Sequence, residues 1–280
     1  MTTTSSAPVS AAEPAEHIID VRGRRIRVAQ AGHGAPLVYL HGAGDLGDWG
    51  PALSLLARDF TVYRPDHPGF NHSDDDPSVD TVLDMAFSYL DLFDRLSLDR
   101  PGLVGVSLGG WLAAQIAVLA PDRFAKLVLV DAAGLRTEVP TPDVFTLSPV
   151  QQAELLYHRA DLRAAAVAAA EKITEDPGLF QRYLRNRMAS AHLAWNPYMH
   201  DPKLPGRLHR LAAPVLVVWG AQDRLLPVEY AHRWVAALGT ARLEIIDEAG
   251  HLPAVEQPDT FAALVREFLS LGALSPEVGA

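Results

Sequence analysis

The stretch Leu103-Val104-Gly105-Val106-Ser107-Leu108-Gly109-Gly110-Trp111 decides the fold. Leu103 to Val106 is a short apolar run of the length a buried strand needs, and a helical stretch opens at Leu108 and continues to Leu119. Between them, Gly105-Val106-Ser107-Leu108-Gly109 has the form of a nucleophile elbow. A serine on so sharp a strand-to-helix turn sits in a strained backbone conformation costing roughly 1–3 kcal/mol, tolerated where the flanking positions lack bulk. With 20 Gly in 280 residues, chance supplies about 0.07 copies of the pattern. The strand before the serine and the helix after it therefore carry more weight than the pattern itself.

Upstream, His17 to Val28 alternate around Arg22-Gly23-Arg24 as a hairpin, and Leu37 to Leu40 form a compact apolar strand. Two edge strands thus precede a buried one. From there helix and strand alternate: helix Pro51–Ala57, strand Phe60–Tyr63, helix Thr81–Leu96, strand Gly102–Val106, helix Leu108–Leu119, strand Ala125–Val130. Alternation stops over residues 135–205, which read as helices broken by Pro140, Pro142, Pro149, Pro177 and Pro197. It resumes with strand Val215–Trp219, helix Val228–Leu238, strand Arg242–Ile246 and helix Asp259–Leu271. The expected α/β architecture is a mostly parallel eight-stranded sheet with helices on both faces. Residues 15–134 and 206–272 form its core, 135–205 a helical cap insertion, 1–14 a disordered tail and 273–280 a C-terminal tail.

Composition narrows the function classes. The chain is 49% hydrophobic and 21% charged, ordinary for a globular protein. A net charge of −10 argues against nucleic acid or anionic membrane as partner. Residues 1–14 have neither a basic start nor an apolar core, so they are not a secretory signal, and no apolar stretch approaches the roughly 20 residues of a membrane span. With no cysteine, disulfides, thiolate catalysis and cysteine metal sites are excluded, which suits the cytoplasm. No zinc-type ligand spacing occurs, and the acidic run Asp74-Asp75-Asp76 reads as a solvated turn.

In open parallel sheets the reactive site lies at the carboxyl ends of the strands. The residues just past those ends are His41-Gly42-Ala43-Gly44, Ser107, Asp131, Asp223 and His251. A serine hydroxyl becomes a nucleophile when an imidazole takes its proton, and the imidazole needs a carboxylate to fix its tautomer and offset its charge. Ser107, Asp223 and His251 supply that set, with Asp131 as the rival acid and a structural aspartate its more economical role. The acyl-transfer oxyanion needs two N–H donors, expected at Leu108 on the helix N-terminus and at Ala43 in the glycine-rich loop. His41 is expected to be a structural hydrogen-bonder rather than a base.

With these residues in place, the chain resembles the α/β-hydrolase superfamily over about Ile18 to Leu271, its capped organisation included. The order Ser, Asp, His is that family's. Asp66-His67-Pro68-Gly69-Phe70-Asn71-His72-Ser73 is similar to its D-x-P-G-x-G-x-S loop, with Asn71 where glycine is usual and Asp66 as a turn stabiliser. Members with aspartate at the elbow are dehalogenases and epoxide hydrolases, which Ser107 argues against. The resemblance implies a serine hydrolase that needs no cofactor or metal, with small carboxylic esters or lactones as the leading substrate class.

Carbon-carbon hydrolases of vinylogous diketones form the main alternative. They typically resemble G-N-S-M-G-G with tryptophan after the histidine, where this chain has Val106, Leu108 and Leu252. Asn196-Pro197-Tyr198 and Arg207-Leu208 keep that alternative open. A non-enzymatic ligand receptor on the same fold is a third. Candidate substrate contacts are Trp49, Trp111, Tyr157, Met188, Trp195, Tyr198 and Leu252, with Phe145, Phe180, Tyr183 and Met199 also in the insertion. Arg159, Arg185 and Arg187 are read as solvated helix faces or carboxylate binders. The expected partner is a small-molecule ester or lactone, and the reading leaves room for a homodimer.

Overall fold

Alternate residues along the central strands face opposite helical layers, which is what a buried parallel sheet requires. The computed structural model describes residues 13–270 except residue 174. Its strands are β1 (Ala15–Val21), β2 (Arg24–Ala31), β3 (Ala35–Leu40), β4 (Phe60–Pro65), β5 (Gly102–Val106), β6 (Leu127–Val130), β7 (Val215–Gly220) and β8 (Arg242–Ile246). Its helices are α1 (Pro51–Leu56), α2 (Val82–Arg95), α3 (Leu108–Leu119), α4 (Pro149–Leu156), α5 (Ala160–Ile173), α6 (Pro177–Ala194), α7 (Glu229–Leu238), α8 (Pro253–Glu256) and α9 (Pro258–Ser270), with a 3₁₀ helix at Pro205–Arg210.

The strands form one sheet in the order β1-β2-β4-β3-β5-β6-β7-β8. The pairs β1·β2 and β2·β4 are antiparallel, and β4 through β8 pair in parallel. The expectation of two edge strands is corrected here. Strand β2 has neighbours on both sides and buries Ile26, Val28 and Ala29, so at this end of the sheet only β1 is an edge. Leu103, Leu127, Leu129, Val217 and Trp219 pack in the core that includes α2, α3 and α7. Val104, Val106, Val128, Val130, Leu216 and Val218 pack in the second core, with α1 and α9. The one-residue offset between these sets is the two-residue period of the strand.

Between β6 and β7 lie α4, α5, α6 and the 3₁₀ helix, with an isolated bridge from Gly134 to His200. Ser148 and Gln151 form a capping box at the start of α4, and Asp176 accepts the N–H groups of Gly178 and Leu179 at the start of α6. Helix α6 docks by polar bonds. Arg185 donates to the carbonyls of Asn71 (2.7 Å) and Ser73 (2.5 Å) and to Asp75 (2.8 Å). Asn186 accepts from Asn71 N–H (2.8 Å) and donates to Asn71 Oδ1 and the Asp45 carbonyl, both at 2.8 Å.

This corrects the reading of the insertion's arginines, whose guanidiniums bond the protein's own oxygens. Besides Arg185, Arg187 donates to the Phe145 carbonyl and Tyr183 Oη, and Arg159 to the Glu256 carbonyl and Asp161. Among the described residues no helix is long and apolar enough to cross a membrane. The tails expected at 1–14 and 273–280, apart from residues 13–14, lie outside the described residues, as do positions 271–272.

Candidate active site

Ser107 joins β5 to α3 with φ 54° and ψ −116°, a region that strains any side-chain-bearing residue by about 1–3 kcal/mol. Its N–H bonds Val130 O (2.9 Å), and its carbonyl accepts from Gly110, Trp111 and Ala133, so the strain is held by strand and helix together. The flanking glycines serve close approach. A Cβ on Gly109 would collide with the carbonyls of Leu40 and His41, and one on Gly105 with the backbone of Gly109 and Gly110. The helix therefore sits directly against the end of β3, which brings the following loop to the serine. A Cβ on Gly42 would lie 3.4 Å from that of Ser107.

Asp223 and His251 meet across the ends of β7 and β8. Asp223 Oδ1 accepts the N–H groups of Leu225 (2.8 Å) and Leu226 (2.9 Å), and Oδ2 lies 2.7 Å from His251 Nδ1. Both side chains are buried. This pairing puts the proton on Nδ1 and leaves Nε2 as the basic nitrogen. Among the described residues no hydrogen bond joins Ser107 Oγ to the ring. Such contacts commonly close only with substrate in place.

Asp131 is not the acid bonded to the imidazole. It is fully buried with φ 43°, and its Oδ1 accepts Gly220 N–H (3.0 Å) while Oδ2 has no partner among the described residues. Burial, then the carboxylate of Asp223, push the Asp131 carboxyl well above the ordinary range. One oxygen or nitrogen from each of Asp131, Asp223 and His251 lies within 4.8 Å of the others. Two of these three groups already bond each other, which makes the cluster a hydrogen-bonded unit more than a cation cradle.

Neither Ala43 N–H nor Leu108 N–H donates to a protein acceptor among the described residues. The loop bearing Ala43 is held by two stacked imidazoles, His41 and His67, with ring centroids 3.7 Å apart. His41 Nε2 accepts His67 N–H (3.0 Å), so Nδ1–H donates to Gly42 O (2.8 Å). That bond orients the Gly42–Ala43 peptide. His67 Nε2–H donates to His41 O (2.9 Å), and its Nδ1 accepts from Tyr89 Oη (2.5 Å). Burial and the nearby Arg64 push His41 down to about 3, and burial then His41 hold His67 well below its usual value. Both rings are neutral, and His41 is a structural hydrogen-bonder. Asp66 stabilises its turn by accepting from Arg64 (2.8 Å), Arg27 (3.2 Å) and His72 N–H (3.3 Å).

The substrate-contact candidates separate by environment. Trp111 is buried and its Nε1 has no partner among the described residues, and Trp49 Nε1 donates to Ser54 Oγ (3.0 Å). Burial, then Glu256, Asp45 and Asp48, raise the Tyr157 hydroxyl, and the Tyr157 carbonyl accepts from Arg224 (2.9 Å). Leu252 packs in the core with α1 and α9. The Tyr198 hydroxyl donates to Pro142 O (2.7 Å) and accepts Val144 N–H (2.9 Å). Met188 and Trp195, 72% and 58% exposed, lie on the surface rather than in an enclosed pocket, because their face of α6 and its end is turned to solvent.

Sequence reasoning missed Glu256 and Asn186. Fully buried Glu256 accepts Gly250 N–H (2.5 Å) and Arg159 N–H (2.7 Å), and Leu156 O accepts His251 N–H (2.9 Å). The insertion is thus bonded to the backbone that carries the imidazole. A glutamate five residues beyond the histidine is the only local hint of this.

Residues 37–264 match the family model described as the alpha/beta hydrolase family. The chain is 32% identical to the dihydrolipoyllysine-residue acetyltransferase component of an acetoin cleaving system from Cupriavidus necator, over 92% of this chain and 70% of that protein. It is 30% identical to a 2-hydroxy-6-oxononadienedioate/2-hydroxy-6-oxononatrienedioate hydrolase of Pseudomonas putida, over 84% and 87%. The structure of 2-hydroxy-6-oxo-6-phenylhexa-2,4-dienoate hydrolase from a Rhodococcus strain superposes with a TM-score of 0.78 at 23% identity, over 92% of this chain and 99% of that one, and shares its fold.

Proposed function

The chain belongs to the α/β-hydrolase family, and from that premise we propose that it is a serine hydrolase of small, fairly apolar carboxylic esters or lactones. The observation that carries this reading is the Asp223–His251 pair, which leaves Nε2 free at the strand ends where Ser107 stands on its strained turn. Ser107 Oγ attacks the acyl carbon as Nε2 takes its proton, and the oxyanion accepts from the N–H groups of Ala43 and Leu108, each donor contributing about 3–4 kcal/mol. Nε2–H then protonates the leaving oxygen. Water, deprotonated at Nε2, releases the acid and restores Ser107. No cofactor enters the scheme. The insertion at 135–205 acts as the cap, and the protein works in the cytoplasm, alone or as a homodimer.

Carbon-carbon cleavage is the second reading, favoured by the relatives named for dienoate and dienedioate substrates. Such substrates carry carboxylates. Arg185 and Arg187 in the insertion are engaged by backbone carbonyls, and Val106 and Leu252 beside Ser107 and His251 are apolar. Those features favour an uncharged acyl group. The deciding experiment compares p-nitrophenyl esters of graded chain length, lactones and a dienol diketone with purified protein. Ester or lactone turnover is expected, lost by about 10⁴–10⁶ in Ser107→Ala. Bleaching of the dienol chromophore without ester turnover overturns the first reading.

A further inference from the structure

Asp131 presents a geometry that an ionised carboxylate does not suit. Its side chain is fully buried, one oxygen accepts a single backbone N–H, and the other faces no donor among the described residues. The charged and titratable groups around it are Asp223 beyond β7, His251 beyond β8 and Glu256 on α8; from α7, Trp234 donates its Nε1–H to the neighbouring Ala132 carbonyl instead. No lysine or arginine bonds it among the described residues. An unpaired buried anion beside a second carboxylate is strongly disfavoured, and one proton between the two removes the repulsion and fills the empty oxygen. We propose that Asp131 keeps its proton and donates it from Oδ2 to the Asp223 carboxylate, making a two-carboxyl unit of single charge that positions His251. Asp131 is thus a positioning residue, acting through Asp223; its catalytic consequence rests on the serine-hydrolase reading, its protonation does not.

The test uses Asp131→Asn and Asp131→Ala in the full chain. Asparagine reproduces the acid's hydrogen bonds, donating to Asp223 and accepting from Gly220, but carries no proton to lose. The folded wild type holds a proton at Asp131 that the unfolded chain has released, so the contribution of this one group to stability falls with rising pH, and the Tm of Asp131→Asn relative to that of wild type at the same pH must rise from pH 5 to pH 8. A constant Tm difference means that Asp131 is ionised and overturns the proposal, whatever the protein hydrolyses. Where Asp131→Asn fails to fold, infrared spectra of wild type with ¹³C-labelled aspartate read the same property: a carboxylic-acid C=O band at pH 7 is expected, and its absence overturns the proposal. In kinetics, Asp131→Ala is expected to lower kcat about ten- to a hundredfold and Asp131→Asn to recover most of it, with the acid limb of the pH profile in place. Equal losses in both variants, or an acid limb shifted to lower pH in Asp131→Asn, overturn the positioning role.

Discussion

Two buried imidazoles set the acid tolerance of the site. His41 and His67 stay neutral when folded, His41 down to about pH 3, whereas an ordinary histidine takes up its proton near 6.5. Below that value the unfolded chain binds protons that the folded chain refuses, so each ring lowers stability as pH falls, by about 1.4 kcal/mol per unit. Asp131, raised, acts in the opposite sense and lowers stability as pH rises. Two rings outweigh one carboxyl, so their balance below pH 6.5 is a loss of stability as pH falls. Urea unfolding at pH 7 and pH 5 should give the smaller free energy at pH 5, with His67→Gln narrowing the gap. Equal stabilities at the two values would contradict neutral burial of the pair.

At the level of elements, Asn71 is the residue beneath α6 that both Arg185 and Asn186 bond. Asn71 stands where glycine is usual and keeps the left-handed backbone, φ 46°, that the turn demands, which asparagine tolerates better than most residues. Its side chain and N–H then bond Asn186. Asn186→Leu orphans the Asn71 N–H and the Asp45 carbonyl, at about 1–3 kcal/mol for each buried group. Combined with Asn71→Gly, which keeps the turn but loses the amide, the double-mutant cycle should show a coupling of about 1 kcal/mol by urea denaturation. Strict additivity would mean that the pair does not dock the helix. The strand ends, the elbow and the order Ser107, Asp223, His251 were legible because each sits at a local change of hydrophobic period. The Asn71–Asn186 and Glu256–Arg159 links, 115 and 97 residues apart in sequence, leave no periodic trace, and the arginines bonded to backbone look in sequence like solvated ones.

For the whole molecule, the βα alternation foretold a parallel sheet covered on both faces, and helices α4, α5 and α6 follow one another between β6 and β7. The place of β2 between β1 and β4 was not legible, since a hairpin's sequence fixes its own turn but not which strand accepts its outer edge. The proposed function requires this architecture to deliver one activated serine at the carboxyl ends of the strands. The most direct measurement is intact-protein and peptide mass spectrometry after exposure of the folded chain to a fluorophosphonate probe. One adduct on Ser107, absent after heat denaturation and absent in Ser107→Ala, is expected. No adduct on Ser107 in the folded protein would contradict it.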